Sequence, residues 1–337
     1  MSQARPSNSL LGIINYAKPR SERIGLDPSG KGLAQGGEFM ESRERGSKAA
    51  LADLDPREMT IIDVRPDLAS LDLDTQGFCV ANLETSLPET LDVLLEEREV
   101  KIREIFWPEI VELARRTIVS DGRSPKYVFA LGTQKFTEDK SRGLLGSYAR
   151  AAHADFADVV FDRAHKMLTK RGIPEEEALN LDLMFVNTWK PFGRVVSDNP
   201  LAILDWTTLD ASRDVHGLPR GASVEKGNIL VSTVTHNPSH RWIYLSNMTP
   251  DEVWFFKQAD SRPARPGLSR HAFHTSFRQP GDEGAERTRR SIAVRLLCAF
   301  EPRKGPGLST ETDSGTGDPA STRGPSLAET ANEGENV

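Results

Sequence analysis

The second half of the chain consists of short apolar segments separated by turn residues, and this pattern limits the fold more than any other feature. Many short strands with turns between them are typical of antiparallel sandwiches and barrels. The predicted strands are 183–189, 201–206, 228–235, 242–245, 253–259, 272–277 and 292–300. A double-stranded β-helix, or jelly roll, is therefore the predicted core.

The first half mixes strand and helix patterns, so we predict a mainly β fold with flanking helices (α+β). A capping box at Ser86–Glu89 predicts a helix that runs past Leu95. Apolar residues at helical spacing predict helices over 100–120, with a break near Pro108, and over 158–171, with Gly172 as the stop. Further strands are predicted at 60–64, 72–81 and 127–131.

The composition of the two ends divides the chain into three parts. Residues 1–50 are rich in glycine and charge and read as an N-terminal arm that is partly flexible. Residues 51–301 form a single predicted jelly-roll domain whose N-terminal part is helical. Residues 302–337 are rich in Gly, Ser, Thr, Glu and Pro, and we expect a disordered C-terminal tail.

Charge and cysteine content exclude several classes of protein. The net charge of −6 gives no basic field for nucleic acid, and no apolar run approaches the roughly 20 residues of a membrane helix. The N-terminus lacks the apolar core of a signal peptide. Cys79 and Cys298 lie in apolar segments and suggest buried thiols in a reducing compartment. We expect a cytoplasmic protein that binds neither nucleic acid nor membrane, and a homodimer is a candidate assembly.

Three residues could together bind a metal ion. His153 and Asp155 are two apart, so both can point the same way from one strand, and His274 falls on a late predicted strand. Two imidazoles and one carboxylate can occupy one face of a ferrous ion and leave the opposite face open for O2 and an organic co-substrate. An H-x-D tripeptide also arises by chance, and the other histidines compete as ligands: His165, His216, His236, His240 and His271.

Arg289 and Ser291 could hold an organic acid beside such a metal. They would share one face of the last strand. A guanidinium and a hydroxyl can together bind the far carboxylate of 2-oxoglutarate. Arg295 lies further along the same face and is a second candidate for this carboxylate or for a carboxylate of the substrate. It could also be a surface residue of the strand.

Several segments together resemble the fungal AsaB-type hydroxylase/desaturase family, which is similar to gibberellin desaturase-like and cephem-methoxylase-related proteins. The resemblance covers about residues 11–300 and is most specific in its tryptophan–tyrosine and Met-Thr-Pro-Asp-Glu-Val blocks. The segments include 15–19, 74–78, 187–191, 199–202, 240–244, 248–253, 274–277 and 291–295.

This resemblance implies a jelly-roll oxygenase of secondary metabolism that uses Fe(II), 2-oxoglutarate and O2 to oxidise a C–H bond of a small-molecule substrate. It places the iron ligands, and with them the catalytic centre, at His153, Asp155 and His274. Arg289 matches the family's co-substrate arginine, so Arg289, Ser291 and Arg295 are the candidate cofactor-binding residues.

The chain departs from the family pattern close to these residues. We expect Val and Gln on either side of the aspartate, whereas Ala154 and Phe156 stand here. Phe273 replaces a proline before the distal histidine, and Arg278 replaces an acidic residue. With Arg262, Arg265 and Arg270, Arg278 could attract an anionic substrate, but charge runs in loops are usually solvated, and we favour that interpretation.

Two other functions use the same residues. A divalent-metal hydrolase could activate water on these three ligands, although hydrolysis needs no binding site for a keto acid. A catalytically silent jelly-roll partner subunit would bind without turnover. Metal content separates the silent protein from the two enzymes, and succinate production separates the oxygenase from the hydrolase.

Overall fold

The strands of the protein form two sheets in a computed structural model, which describes residues 6–22, 54–137, 148–155, 160–217, 232–280 and 288–303. The strands in these ranges are β1 Ser9–Ala17, β2 Leu54–Asp63, β3 Phe78–Asn82, β4 Tyr127–Thr137, β5 His153–Ala154, β6 Asp182–Pro191, β7 Leu201–Leu204, β8 Val215–Gly217, β9 Ser232–Val234, β10 Trp242–Tyr244, β11 Glu252–Asp260, β12 His274–Ser276 and β13 Arg290–Phe300.

Short helices accompany the sheets. They are α1 Leu91–Leu95, a π-helical turn Ile102–Phe106 that leads into α2 Trp107–Thr117, α3 Phe161–Thr169, α4 Glu175–Asn180 and α5 Ala211–Asp214. Three 3-10 turns lie at Arg20–Glu22, Arg65–Ser70 and Trp206–Thr208. None of the helices in the described ranges has the length and hydropathy needed to cross a membrane.

The larger sheet has the strand order β1-β2-β10-β7-β12-β5-β9-β8, and the smaller has the order β3-β11-β6-β13-β4. All pairings are antiparallel except the one between β10 and β2. The two sheets form the jelly-roll core, which confirms the predicted fold class. Although β1 lies at one edge of the larger sheet, it also forms single β-bridges to residues next to β12 and β5, at Ile13–Arg278 and Asn15–Ala151.

Strand β13 shows how alternating residues build two layers. Ile292 and Val294 point to the outer face of the smaller sheet and pack with Phe106 and Ile110 of the helical layer. Ala293 points the other way, between the sheets, where it joins a second core cluster. The side chains of β13 that face the larger sheet are therefore placed to line a cavity between the sheets.

Aromatic side chains fill much of the space between the two sheets. Trp254 and Phe256 of the smaller sheet pack with Ile203 and Ile243 of the larger sheet. A separate apolar cluster, which includes Leu168 of α3, packs on the far part of the smaller sheet. The candidate site lies between the sheets, beside Phe256.

Some local predictions differ from the structure. Helix α1 begins after Thr90, whose hydroxyl accepts from the Val93 N–H (3.4 Å), rather than at Ser86. The N–H of Ser86 instead donates to the Glu109 carboxylate (2.8 Å), which ties this segment to α2. The predicted break at Pro108 is absent, because the helix widens just before it into a π-turn and continues.

The N-terminal strand belongs to the larger sheet, although it lies within the segment that we expected to be an arm. Residues 23–53 of that segment and the tail from residue 304 lie outside the described residues. The three-part domain division therefore stays a prediction. Cys79 and Cys298 are both free thiols, as expected, with Cys298 fully buried.

Candidate metal centre

His153 and His274 face each other on neighbouring strands of the larger sheet. They form the paired position between β5 and β12, and their ring centroids are 4.4 Å apart. Asp155 follows β5 directly, and its Oδ1 lies 3.3 Å from His153 Nε2. One ligand atom from each of the three buried residues lies within 4.8 Å of the other two. The structure thus brings together the three residues that the spacing suggested.

Backbone carbonyls set the orientation of both imidazoles. His153 Nδ1 lies 2.8 Å from the Ala151 carbonyl oxygen, and His274 Nδ1 lies 3.1 Å from that of Ala272. When Nδ1 donates to a carbonyl, the lone pair of the neutral ring is on Nε2, where it can bind a metal. His153 Nε2 is buried and has no hydrogen-bond partner among the described residues, as expected of a ligand atom whose partner is a cation.

The charge states of the site also suit a cation. Burial, followed by the nearby His153, lowers the pKa of His274 to about 3, so its ring is neutral at neutral pH. Burial alone would raise the pKa of Asp155, but nearby positive charge, led by the guanidinium of Arg295, outweighs it. The pKa of Asp155 is therefore held well below its usual value, and the carboxylate is ionised.

The smaller sheet holds the other oxygen of Asp155. Its Oδ2 accepts from Asn187 Nδ2 (2.6 Å) and from Arg295 Nη2 (3.1 Å), which are paired residues of β6 and β13. The Asp155 backbone N–H donates to Gln258 Oε1 of β11 (2.7 Å). The larger sheet thus carries the histidines, while the smaller sheet orients the carboxylate.

One cavity is lined by the three candidate ligands and by Arg289. Its lining residues are Gln134, Phe136, Ala149, His153, Asp155, Asn187, Trp189, Leu201, Phe256, His274, Ser276, Arg289 and Ala293. Seven of these residues are polar or charged, and the other six are apolar or aromatic. The apolar part of the wall lowers the local dielectric constant and so strengthens the interaction of a ligand with the polar groups of the cavity.

Aromatic rings and a carbonyl fix Arg289 in the cavity wall. Its guanidinium carbon lies 3.8 Å from the centroid of the Tyr148 ring and 5.4 Å from that of Trp189. Nη1 donates to the Asn199 carbonyl, and the Tyr148 hydroxyl donates to the Arg289 carbonyl (2.7 Å). Ser291 is also fully buried, and its hydroxyl has no hydrogen-bond partner among the described residues.

Comparison with known proteins gives the family. A model described as an oxidoreductase/YMDC permease-like domain matches residues 15–299 of the chain. The chain belongs to this family.

Named proteins with sequences similar to this chain include fungal enzymes. The Fe(II)/2-oxoglutarate-dependent dioxygenase nvfI of Aspergillus novofumigatus is 24% identical over 72% of this chain and 83% of its own length. The hydroxylase/desaturase efuI of Hormonema carpetanum is 27% identical over 73% of this chain and 84% of its own. The hydroxylase/desaturase asaB of Aspergillus flavus is 27% identical over 37% of this chain and 59% of its own. The resemblance to the AsaB-type proteins is thereby confirmed.

The solved structures include a protein of the same fold. The iron and alpha-ketoglutarate-dependent endoperoxidase NvfI superposes with a TM-score of 0.65 at 20% identity, over 88% of this chain and all of NvfI. This likeness supports the jelly-roll assignment independently of the strand order.

The remaining histidines of this family member lie outside the three-residue cluster. His240 Nε2 is 3.1 Å from Asp214 Oδ2, and His216 Nε2 is 3.2 Å from the Thr235 hydroxyl. His271 Nδ1 is 2.8 Å from the Gln258 carbonyl. His165 is half-buried on α3, where we expected a surface residue. Each of the three bonded imidazoles thus has a polar partner within the protein.

The arginine cluster after β11 is not the solvated loop that we favoured. Arg262 is buried and pairs with Asp74 (2.7 Å), Asp121 (2.9 Å) and Asp260. Arg265 pairs with Asp121, and Arg270 donates to the Arg262 carbonyl. These three arginines therefore hold the loop together rather than face a substrate. Arg278 lies elsewhere, beside a second cavity.

Sequence reasoning missed the residues that orient Asp155. Asn187 stands in a segment that carried the family resemblance, but its contact with Asp155 depends on the pairing of β6 with β13. Gln258 gave no signal at all. Arg295 contacts Asp155 and is not among the lining residues of the cavity, whereas Arg289 is. Phe156, which we expected at the pocket edge, lies outside the described residues.

Proposed function

We propose that the chain is an Fe(II)/2-oxoglutarate-dependent oxygenase of fungal secondary metabolism that oxidises an unactivated C–H bond of a small molecule. The observation that carries this proposal is that one cavity is lined by two histidines, an aspartate and a buried arginine. The names of the relatives agree with it, since they include a dioxygenase and hydroxylase/desaturases.

His153, Asp155 and His274 would hold the Fe(II). With O2 and 2-oxoglutarate, such a centre supplies the oxidation of a C–H bond, by hydroxylation, desaturation or oxidative cyclisation, with release of succinate and CO2. The two carbonyl acceptors keep Nε2 of each histidine available. The contacts of Asn187 and Arg295 keep Asp155 ionised and leave its Oδ1 beside His153.

Arg289 would bind the far carboxylate of 2-oxoglutarate, with the Ser291 hydroxyl as a further donor. A guanidinium offers two parallel N–H donors to a carboxylate, and its contact with the Tyr148 ring keeps the group in place. Arg295 instead contacts Asp155, so we assign it to positioning the metal ligand rather than to binding the co-substrate.

The apolar residues of the cavity would exclude water and orient the substrate. Phe256 packs against His274, with ring centroids 4.7 Å apart, and Trp189 and Leu201 are also part of the wall. Placement of the C–H bond to within about an ångström selects among the possible outcomes.

An anaerobic titration with Fe(II) and 2-oxoglutarate tests this function. We expect a metal-to-ligand charge-transfer band in the visible for wild type and for His165→Ala, a control histidine on α3. The band should be lost in His274→Ala, which removes a ligand. Fully metallated, folded wild type without a band would contradict the co-substrate assignment. Turnover without succinate would then favour a divalent-metal hydrolase. Absence of any turnover would favour a silent partner subunit.

The location and assembly of the protein are part of the same proposal. We propose a cytoplasmic enzyme, because both cysteines are free thiols, and a possible homodimer. Fractionation and the mass of the purified protein in solution test these two points.

A further inference from the structure

A second cavity adjoins the one that contains the candidate ligands, and Ser276 lines both. We call it the outer cavity. Its lining residues are Ile13, Asn15, Arg150, Asn199, Ser276, Arg278 and Gln279. Asn199 also joins the two sites, because its carbonyl accepts from Arg289 and its Oδ1 lies 3.4 Å from Arg278 Nε. A molecule in the outer cavity would therefore lie next to the candidate co-substrate residue.

Strand β1 fixes the two arginines of the outer cavity. The Ile13 N–H donates to the Arg278 carbonyl (2.9 Å), and the Asn15 side chain donates to the Arg150 carbonyl (2.8 Å). Both arginine side chains are half-buried. Their backbone positions are thus held by main-chain and side-chain bonds, although neither residue lies in a regular strand.

The lining of the outer cavity suits an anion. Two of its described lining residues are arginines, and none is an aspartate or a glutamate. Both arginines also make other interactions within the chain, but a guanidinium has five N–H donors and can bind more than one group. The amides of Asn15, Asn199 and Gln279 add donors, and Ile13 adds an apolar surface.

We propose that the organic substrate carries a carboxylate that binds Arg150 and Arg278, while the rest of the molecule extends past Ser276 toward the metal ligands. This inference rests on the proposed function and names the substrate class of the same site. Arg289 is then reserved for the co-substrate, and the pair of arginines in the outer cavity selects organic acids over neutral molecules of the same shape.

Two probes of equal shape and different charge test the proposal: 1-naphthoate and 1-naphthamide. Their affinities are measured by calorimetry on the protein loaded anaerobically with Fe(II) and saturating 2-oxoglutarate, which occupies Arg289. We expect wild type to bind the acid at least about tenfold more tightly than the amide, as charge-assisted hydrogen bonds to an anion imply.

The double variant Arg150→Gln/Arg278→Gln should bind the two probes within about twofold of each other, because it keeps donors but loses both charges. Each single variant should lose part of the preference for the acid. The single variants replace the double variant in the test if the double variant does not fold. Arg57→Gln is the control, since it removes an exposed arginine that pairs with Asp55 outside both cavities.

The outcomes separate this inference from the proposed function. No preference for the acid in wild type, or an unchanged preference in the double variant, overturns the anion site. The charge-transfer band is recorded on the same samples. A preference for the acid that depends on the arginines, in samples without the band, would retain the anion site and reject the oxygenase.

Discussion

Asp155 is held from two sides at the scale of single residues. One oxygen lies beside His153, and the other accepts hydrogen bonds from Asn187 and Arg295. The carboxylate therefore cannot rotate freely, and it presents Oδ1 in a fixed direction. Residues that orient a metal ligand commonly affect metal affinity nearly as much as the ligands themselves.

We expect Asn187→Ala to weaken Fe(II) binding by about 10- to 100-fold, because it removes a 2.6 Å hydrogen bond to the ligand carboxylate. Anaerobic metal titration gives the dissociation constant. Asn180→Ala on α4 is the control, since that side chain donates only to a carbonyl of its own helix. Equal affinities for the two variants would show that Asn187 does not position the ligand.

The candidate metal ligands could be recognised from the sequence, whereas most of the residues that contact them could not. His153 and Asp155 could be recognised because residues two apart share a face of a strand whatever that strand pairs with. Asn187 and Gln258 approach Asp155 only through contacts between distant segments, so no local spacing reveals them. Arg289 and Arg295 looked equivalent in the sequence, because both were expected on one face of the last strand, and only the cavity and the contact with Asp155 distinguish them.

At the scale of elements, a buried network of charges joins β11 to two loops. Arg262 bonds carboxylates from three separate segments: Asp74, Asp121 and Asp260. Lys257 of β11 also pairs with Asp260 (2.9 Å) and is fully buried. The loop after β11 therefore has a fixed path.

We expect Arg262→Met to lower the free energy of unfolding by about 3–5 kcal/mol, because Asp74 and Asp260 would remain buried with one cation fewer. Arg265→Met, whose side chain is 41% exposed, should cost at most about 1 kcal/mol. Urea denaturation measures both. If the two variants lose a similarly small amount of the free energy of unfolding, Lys257 alone neutralises the charges of Asp74 and Asp260.

Elements were predictable where a regular pattern runs long enough. The nearly continuous apolar run of β13 and the apolar spacing of α2 both appear in the sequence. β5 has only two residues and no period, so it could be inferred only through the H-x-D motif. Thr90, rather than Ser86, caps α1, because Ser86 lies in a segment that is tied to Glu109 by a distant contact.

On the scale of the whole molecule, the candidate metal centre spans both sheets. The larger sheet supplies His153 and His274, and the smaller sheet supplies the partners of Asp155. A bound ion would thus add to the hydrogen bonds by which Asp155 already connects the two layers. Metal binding should stabilise the entire fold rather than a single loop.

We expect Fe(II) at a hundredfold excess over its Kd to stabilise the native protein by about 2.7 kcal/mol, by mass action. Anaerobic thermal unfolding with and without the metal measures this gain as a rise in Tm. His274→Ala should show no such rise at the same concentration. A rise of equal size in both proteins would place the stabilising ion elsewhere.

Strand β1 has a consequence for how this protein can diversify. Its bridges hold the backbone of Arg150 and Arg278, whereas the metal ligands belong to β5, β12 and the residue after β5. Substitutions in β1 and in the two segments that carry Arg150 and Arg278 would therefore alter the wall of the outer cavity and leave the candidate metal ligands in place. If both proposals hold, substrate choice and chemistry can change independently in this fold.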